Sequence, residues 1–291
     1  MKKFLLCVRD VFLILLLTLV SMMVGGIWLD SWEINNIALP LHYFFAPIIY
    51  LILFLVGFRC IKRKVFHDSF RAVSFPPSFS KRYFGYAFGL LVLCAVGDIL
   101  VGGKFIFPKI DTYLFAQNIA SFLGTFLIAP LIEEIVFRVV ILTQIAKRYG
   151  IFTGITVSSL LFGAVHLMNG RLDFLSAIQL VLSGTLMGIL LSIMYVSEKT
   201  VWASFTIHAL YNGIGSIIPI VTASETIISD WPIYFVLRND NQLITGGQYG
   251  IDCSLFHNIA YIIIIIIMLV SLHKKGSSLQ KAWENPIHNN I

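Results

Sequence analysis

Charged residues are scarce in this 291-residue sequence. They make up 12% of the chain, while hydrophobic residues make up 58%, and a soluble domain carries about 25% charge. This balance excludes an ordinary soluble domain and indicates a polytopic membrane protein of the all-α class. The formal net charge of +6 is typical of a topology signal in such a protein, so no nucleic-acid partner is expected.

Cysteine is also scarce, with four residues in the whole chain. Their spacing matches neither a disulfide framework nor a zinc-thiolate motif, so neither is expected. The sequence also lacks an internal repeat, a low-complexity tract and the H-E-x-x-H pattern of many zinc proteases. The cysteines are Cys7, Cys60, Cys94 and Cys253.

Long apolar runs are abundant. Runs of about 20 such residues mark membrane-spanning helices. The first run is long enough to span the membrane and lacks a convincing cleavage site. These two features favour an uncleaved helix over a signal peptide. Eight spans are predicted, near 11–29, 41–58, 83–101, 119–142, 151–168, 175–197, 201–222 and 257–273.

Basic residues follow a pattern that orients these spans. They precede the first helix and follow the second, fourth, sixth and eighth, while most loops on the other side are acidic. Because cytoplasmic loops are enriched in Lys and Arg, we predict a multi-pass protein of the cell membrane with both termini in the cytoplasm. The predicted cytoplasmic set includes Lys2, Lys3, Arg9, Arg59, Arg63, Lys81, Arg82, Lys147, Arg148, Lys199, Lys274 and Lys275.

Three ionisable residues interrupt the fourth apolar run, in "PLIEEIVFRVVIL". Glu134 and Arg138 are four residues apart, so they lie on one helix face and can form an ion pair. Glu133 is rotated by about 100° from Glu134 and has no partner in its own helix. Its partner must therefore come from another helix.

Three further polar residues lie in the fifth and seventh apolar runs: His166, His208 and Asn212. The rise of a helix places both histidines at depths that can match that of Glu133. A lone intramembrane histidine is more often a helix-helix contact, and a Glu–Arg pair can be a structural clamp. Their joint occurrence favours a functional site.

This set of residues suits hydrolysis of a carbonyl compound. Glu133 and His166 could take a proton from water, and His208 and Asn212 could donate hydrogen bonds to the resulting oxyanion. Glu134 and Arg138 would hold the helix and tune the charge on Glu133. Alternatively, Glu133, His166 and His208 could ligate zinc, since two histidines and one carboxylate form a known catalytic zinc set.

Three ordered motifs resemble those of the CAAX protease and bacteriocin-processing family, also called the Abi family. They are Glu133-Glu134-x-x-Phe137-Arg138, Ser159-x-x-Phe162-x-x-x-His166 and His208-x-x-x-Asn212. Val139 departs from the family, which often has Gly there; this could change helix packing but removes no chemical group.

The resemblance implies an intramembrane endopeptidase that acts on a peptide or membrane-protein substrate in the bilayer. It assigns water activation to Glu133 and His166, and the oxyanion site to His208 and Asn212. Members have been described as metalloproteases, although the archaeal branch looks metal-independent, so zinc stays open as a cofactor. Bacterial members are linked to peptide processing and bacteriocin self-immunity.

The division of the chain follows from the extent of these motifs. We predict N-terminal helices and a cytoplasmic loop over 1–118, a catalytic helical core over 119–222, and an outer loop, last helix and tail over 223–291.

Two other functions stay open: a non-catalytic peptide-binding or immunity protein, and a proton-coupled transporter. The absence of paired Gly/Pro-broken segments in two matching halves counts against the transporter.

Overall fold

Helices account for most of the chain in the computed structural model, which describes residues 2–30, 35–64, 79–222 and 230–284. The predicted all-α class is confirmed. The helices are α1 Lys2–Asp30, α2 Asn35–Lys64, α3 Lys81–Val101, α4 Thr112–Leu123, α5 Ala129–Glu134, α6 Thr143–Tyr149, α7 Ile151–Val165, α8 Phe174–Glu198, α9 Val201–Gly215, α10 Gln242–Thr245, α11 Leu255–Lys274 and α12 Leu279–Glu284.

Two π-helical segments join α4, α5 and α6 into one long helix, 112–149. They span Gly124–Ile128 and Ile135–Leu142, and the residues at the junctions keep helical backbone angles. The two adjacent glutamates therefore lie on the short α-helical piece between two π-helical ones. Such segments are rare and are found frequently at functional sites.

Within the described residues, six helices are long and apolar enough to cross a membrane, as expected for a multi-pass membrane protein. They coincide with six of the eight predicted spans, and the count of eight stays a prediction. The helix predicted over 201–222 is wrong at its end, because α9 stops at Gly215 after 15 residues. Its length is about 22 Å, which is shorter than the roughly 30 Å hydrocarbon core.

A small three-stranded sheet, which was not predicted, lies beyond the ends of α3 and α9. The strands are β1 Gly103–Ile106, β2 Ile220–Thr222 and β3 Tyr234–Leu237, in the order β1-β3-β2. β1 and β3 are antiparallel, whereas β2 and β3 are parallel. Residues 223–229 of the predicted outer loop, and residues 65–78 of the predicted cytoplasmic loop between the second and third spans, lie outside the described residues.

Small residues bring α7 and α8 into close backbone contact. A Cβ atom on Gly184 would lie 2.6 Å from the Cα of Gly163, and one on Gly188 would lie 2.9 Å from the Cα of Ser159. Small residues at such an interface let two helices approach closely within a membrane. This contact positions the end of α7, where His166 follows.

Ion pairs connect the basic residues at several helix termini, at one end of the helix bundle. Glu198 at the end of α8 lies 2.9 Å from Arg82 and 3.8 Å from Lys275, and Asp10 in α1 lies 2.6 Å from Arg148 in α6. We call this the basic end. The opposite end carries the sheet, residues 166–173 and the segment 242–254, and we call it the loop end.

Polar contacts attach the segment 242–254 to α8. The Nε2 of Gln179 donates to the carbonyl of Gln242 at 2.9 Å, and the backbone N–H of Asp173 donates to the side chain of Gln248 at 2.7 Å. Asp173 also caps α8 by accepting from the N–H of Ser176 at 2.9 Å. The hydrogen bonds from the N–H and the hydroxyl of Ser176 lower the pKa of the Asp173 carboxyl.

Candidate active site

A single cavity of about 470 Å³ is lined by Glu133, His166, His208 and Asn212. Glu133 comes from the long helix, His166 begins the 3₁₀ turn after α7, and the other two lie one turn apart on α9. The cavity extends to the loop end, where Gly250 and its neighbours contribute to the wall. Residues that are far apart in the sequence therefore meet at one cavity within the helices.

Glu134 bridges two other residues of the predicted site. Its Oε2 lies 3.2 Å from Nε of Arg138, and its Oε1 lies 2.9 Å from Nδ1 of His208. The side chains of Glu134 and Arg138 are fully buried, and that of His208 is 5% exposed. The pair with Arg138 was predicted from the spacing; the contact with His208 was missed, because its two partners are 74 residues apart.

Glu133 faces the cavity, whereas its neighbour is enclosed. The Glu133 side chain is 28% exposed, and its Oε2 lies 3.7 Å from Nε2 of His208. Because adjacent helical residues point in directions about 100° apart, only Glu133 reaches the space that water can enter. The partner that Glu133 lacks within its own helix comes from α9.

Hydrogen bonds determine which nitrogen of each site histidine carries a proton. Nδ1 of His166 lies 2.6 Å from the carbonyl oxygen of Phe162, which can only accept, so Nδ1 carries the proton. Nδ1 of His208 likewise donates to the carboxylate of Glu134. In a neutral ring each Nε2 therefore keeps its lone pair.

Phe162 packs against the charged and imidazole groups of the site. Its ring centroid lies 4.9 Å from that of His166, 5.8 Å from that of His208 and 5.1 Å from that of Phe137. The guanidinium carbon of Arg138 lies 4.6 Å from the same centroid. These edge contacts and the cation–π contact position the buried groups, a role that the motif alone did not reveal.

A second polar network, also missed, adjoins the cavity at Tyr211. The Tyr211 hydroxyl lies 2.6 Å from Oδ1 of Asp252, 2.6 Å from the hydroxyl of Tyr261 and 2.9 Å from Nδ1 of His257. Nε2 of His257 lies 3.1 Å from Oδ1 of Asp98. The spacing of His208, Tyr211 and Asn212 could have indicated that Tyr211 faces the cavity, because residues three and four apart share a helix face.

One wall of the cavity contains a cysteine, Cys253. Burial, with a further contribution from the charge of Asp252, raises the pKa of this thiol to about 12. The thiol is therefore protonated at neutral pH and is a poor nucleophile. As the nucleophile in this cavity, an activated water is better suited than the Cys253 thiol.

The described donors are not arranged as a metal site. Across the described part of the chain, no group of three or more His, Cys, Asp and Glu side chains is arranged to hold a metal ion. The three ligands considered for zinc were Glu133, His166 and His208. They share the cavity but do not form such a group.

Comparison with known proteins identifies the part of the chain that carries these motifs. Residues 115–214 match the family described as "Type II CAAX prenyl endopeptidase Rce1-like". No curated protein and no solved structure matches the chain. The family implies a protease with a peptide or protein substrate in the membrane. The expected resemblance to CAAX proteases is confirmed by this match over residues 115–214.

Proposed function

We propose that this protein is an intramembrane endopeptidase in which Glu133 and His166 activate a water molecule. His208 and Asn212 stabilise the oxyanion that forms when that water attacks a peptide carbonyl. The observation that carries the proposal is the shared cavity of about 470 Å³, which these four side chains line. It is large enough for a short stretch of peptide and for the attacking water.

Two groups in the cavity have the properties of a proton acceptor. The partly exposed carboxylate of Glu133 can contact water, and Nε2 of His166 has a free lone pair because Nδ1 donates to Phe162. A general base must come within hydrogen-bond reach of the proton that it removes. Glu133 accepts the water proton in our assignment, and His166 orients the water through Nε2.

Two groups on α9 can act as donors. The Asn212 amide supplies N–H groups one turn from His208, on the same helix face. Nδ1–H of His208 already donates to Glu134, so Nε2 can donate only when the ring carries both protons. Glu133 and Glu134 lie on either side of that ring and balance its charge. Donors aimed at the developing negative charge lower the barrier to hydrolysis.

Glu133 both accepts and returns the proton that the reaction transfers. The water oxygen forms a bond to the carbonyl carbon and gives one proton to Glu133. When the C–N bond breaks, the departing amine needs a proton, and Glu133 returns the one that it accepted. The products are a carboxylic acid and an amine, and no cofactor is consumed.

The experiment that tests this proposal is the substitution Glu133→Gln. We expect hydrolysis per folded molecule to fall by about 10²- to 10⁴-fold, the usual contribution of general-base catalysis. The thermal unfolding temperature should change little, because Gln has the same shape and Glu133 is partly exposed, with Nε2 of His208 no closer than 3.7 Å. Glu284→Gln, at an exposed position on α12, is the matched control and should retain activity.

Other outcomes would contradict the proposal in distinct ways. Full activity of Glu133→Gln would show that Glu133 is not the general base. Peptide binding without cleavage by the wild type would favour the alternative, a peptide-binding or immunity protein. Activity that is lost to a chelator and restored by zinc would favour a metal-dependent mechanism.

A further inference from the structure

Asp252 extends the proposed catalytic cavity toward the loop end. It lies in the 3₁₀ segment Ile251–Cys253 and lines the same cavity as Glu133. Its side chain is 57% exposed, although its Oδ1 accepts a 2.6 Å hydrogen bond from the Tyr211 hydroxyl. A carboxylate is therefore presented to the cavity in a defined orientation.

Further contacts hold this carboxylate in place. The Tyr261 hydroxyl donates to the carbonyl oxygen of Asp252 at 3.1 Å, and it also lies 2.6 Å from the Tyr211 hydroxyl. Nε2 of Gln179 donates to the carbonyl of Cys253 at 3.4 Å. Because α8, α9 and α11 all contribute to this support, a ligand would not have to order the segment when it binds.

No Lys or Arg among the described residues balances the charge of Asp252. Among the described residues, no Lys or Arg lines the cavity or pairs with Asp252. His257 lies 3.8 Å from Asp252, but its Nε2 lies closer to Asp98, at 3.1 Å, so one imidazole faces two carboxylates. Oδ2 of Asp252 accepts no hydrogen bond from the described part of the chain.

We propose that Asp252, oriented by Tyr211, binds a cationic group of the peptide substrate, either a Lys or Arg side chain or a free amino terminus. This inference rests on the proposed function and specifies the substrate of that same site. Charge-assisted hydrogen bonds to a carboxylate are stronger and shorter than neutral ones. The second carboxylate of the cavity, Glu133, adds to a field that favours cations over anions.

The test uses purified full-length protein and short peptides in which one position at a time carries either lysine or the uncharged norleucine. Each peptide is made with a free and with an acetylated amino terminus, which separates the two sources of positive charge. We expect the wild type to prefer a charged form by about tenfold in kcat/KM, and Asp252→Asn to lose that preference. Asp240→Asn removes an exposed carboxylate outside the cavity lining and should keep the preference.

Binding of the same peptides to the Glu133→Gln variant separates this inference from the proposed catalytic function. If the wild type does not cleave the peptides but binding still favours the cationic peptide through Asp252, the catalytic proposal fails and the recognition site stands. If the wild type cleaves all peptides equally, or if Asp252→Asn keeps the preference, the recognition site is refuted while the peptidase remains.

Discussion

At the scale of residues, two adjacent glutamates occupy different environments. Glu134 is fully buried between Arg138 and His208, whereas Glu133 is partly exposed to the cavity. Helix geometry predicts the divergence, but only the contact with His208 makes Glu134 part of the site. Its carboxylate neutralises the guanidinium and also fixes the proton on Nδ1 of the histidine.

We predict that Glu134→Gln destabilises the protein and that Glu133→Gln does not. Removing the Glu134 charge leaves the buried Arg138 guanidinium uncompensated, and breaking such a pair typically costs about 3–5 kcal/mol. The double variant Glu134→Gln with Arg138→Met removes both charges and should recover most of this loss. Thermal unfolding of the three variants measures the effect. An unfolding temperature of Glu134→Gln equal to that of the wild type would refute the role of the ion pair.

At the scale of elements, the positions of the helices depend on π-helical segments and close helix contacts, which a hydropathy profile does not predict. The π-helical segments on both sides of α5 change the direction of the side chains along the long helix. The hydroxyl of Ser158 in α7 donates to the carbonyl of Phe137 in one of these segments at 2.6 Å. The close approach of α7 and α8 at Gly163 and Gly184 then sets where His166 lies.

We predict that Gly184→Ala disturbs this arrangement. The added Cβ would meet the Cα of Gly163 at 2.6 Å, so the helices must separate. Such overpacking typically costs about 1–3 kcal/mol, and the shift of His166 should lower kcat more than it changes KM. Gly85→Ala in α3 is the matched control, because its Cβ would meet nothing within 4 Å.

The measurements are thermal unfolding and peptide hydrolysis for both glycine variants. Gly85→Ala should be neutral or more stable by up to about 1 kcal/mol, since Ala has the better helix propensity. Equal behaviour of the two variants would show that the α7–α8 contact does not position the site.

At the scale of the whole molecule, the two ends of the bundle differ in charge and in access. The described basic helix ends meet through ion pairs at Glu198 and Asp10. The cavity lies toward the loop end, where the segment 249–253 forms part of its wall. Because basic residues favour the cytoplasmic side, we expect substrates to reach the cavity from the opposite side of the membrane.

We predict that the loop end faces away from the cytoplasm, and cysteine labelling in intact cells tests this. Cys60, near the end of α2, is exposed while the other three cysteines are buried, so an impermeant maleimide should label the natural protein only after permeabilisation. Asp240→Cys, combined with Cys60→Ser, should be labelled in intact cells. The reverse pattern would place the cavity mouth in the cytoplasm.

Much of the fold and of the candidate site could be predicted because the relevant patterns are local. Apolar runs predict six helices that the structure has, and the spacing of Glu134 and Arg138 predicts their ion pair. The helix predicted over 201–222 failed at its end, since the apolar residues 216–222 continue the hydropathy of α9 although the chain turns into β2. Hydropathy alone does not distinguish these conformations.

The sequence by itself determined the membrane class and the resemblance to CAAX proteases, and it predicted six candidate site residues, because these depend on composition and on spacing along the chain. Only the tertiary structure decided that Glu134 contacts His208, that Tyr211 joins Asp252 and His257, and that three strands pair. The partners in these contacts are 74, 41 and 46 residues apart. Their meeting depends on how each helix is rotated and shifted against its neighbours, which π-helical segments and close glycine contacts control and which no local pattern records.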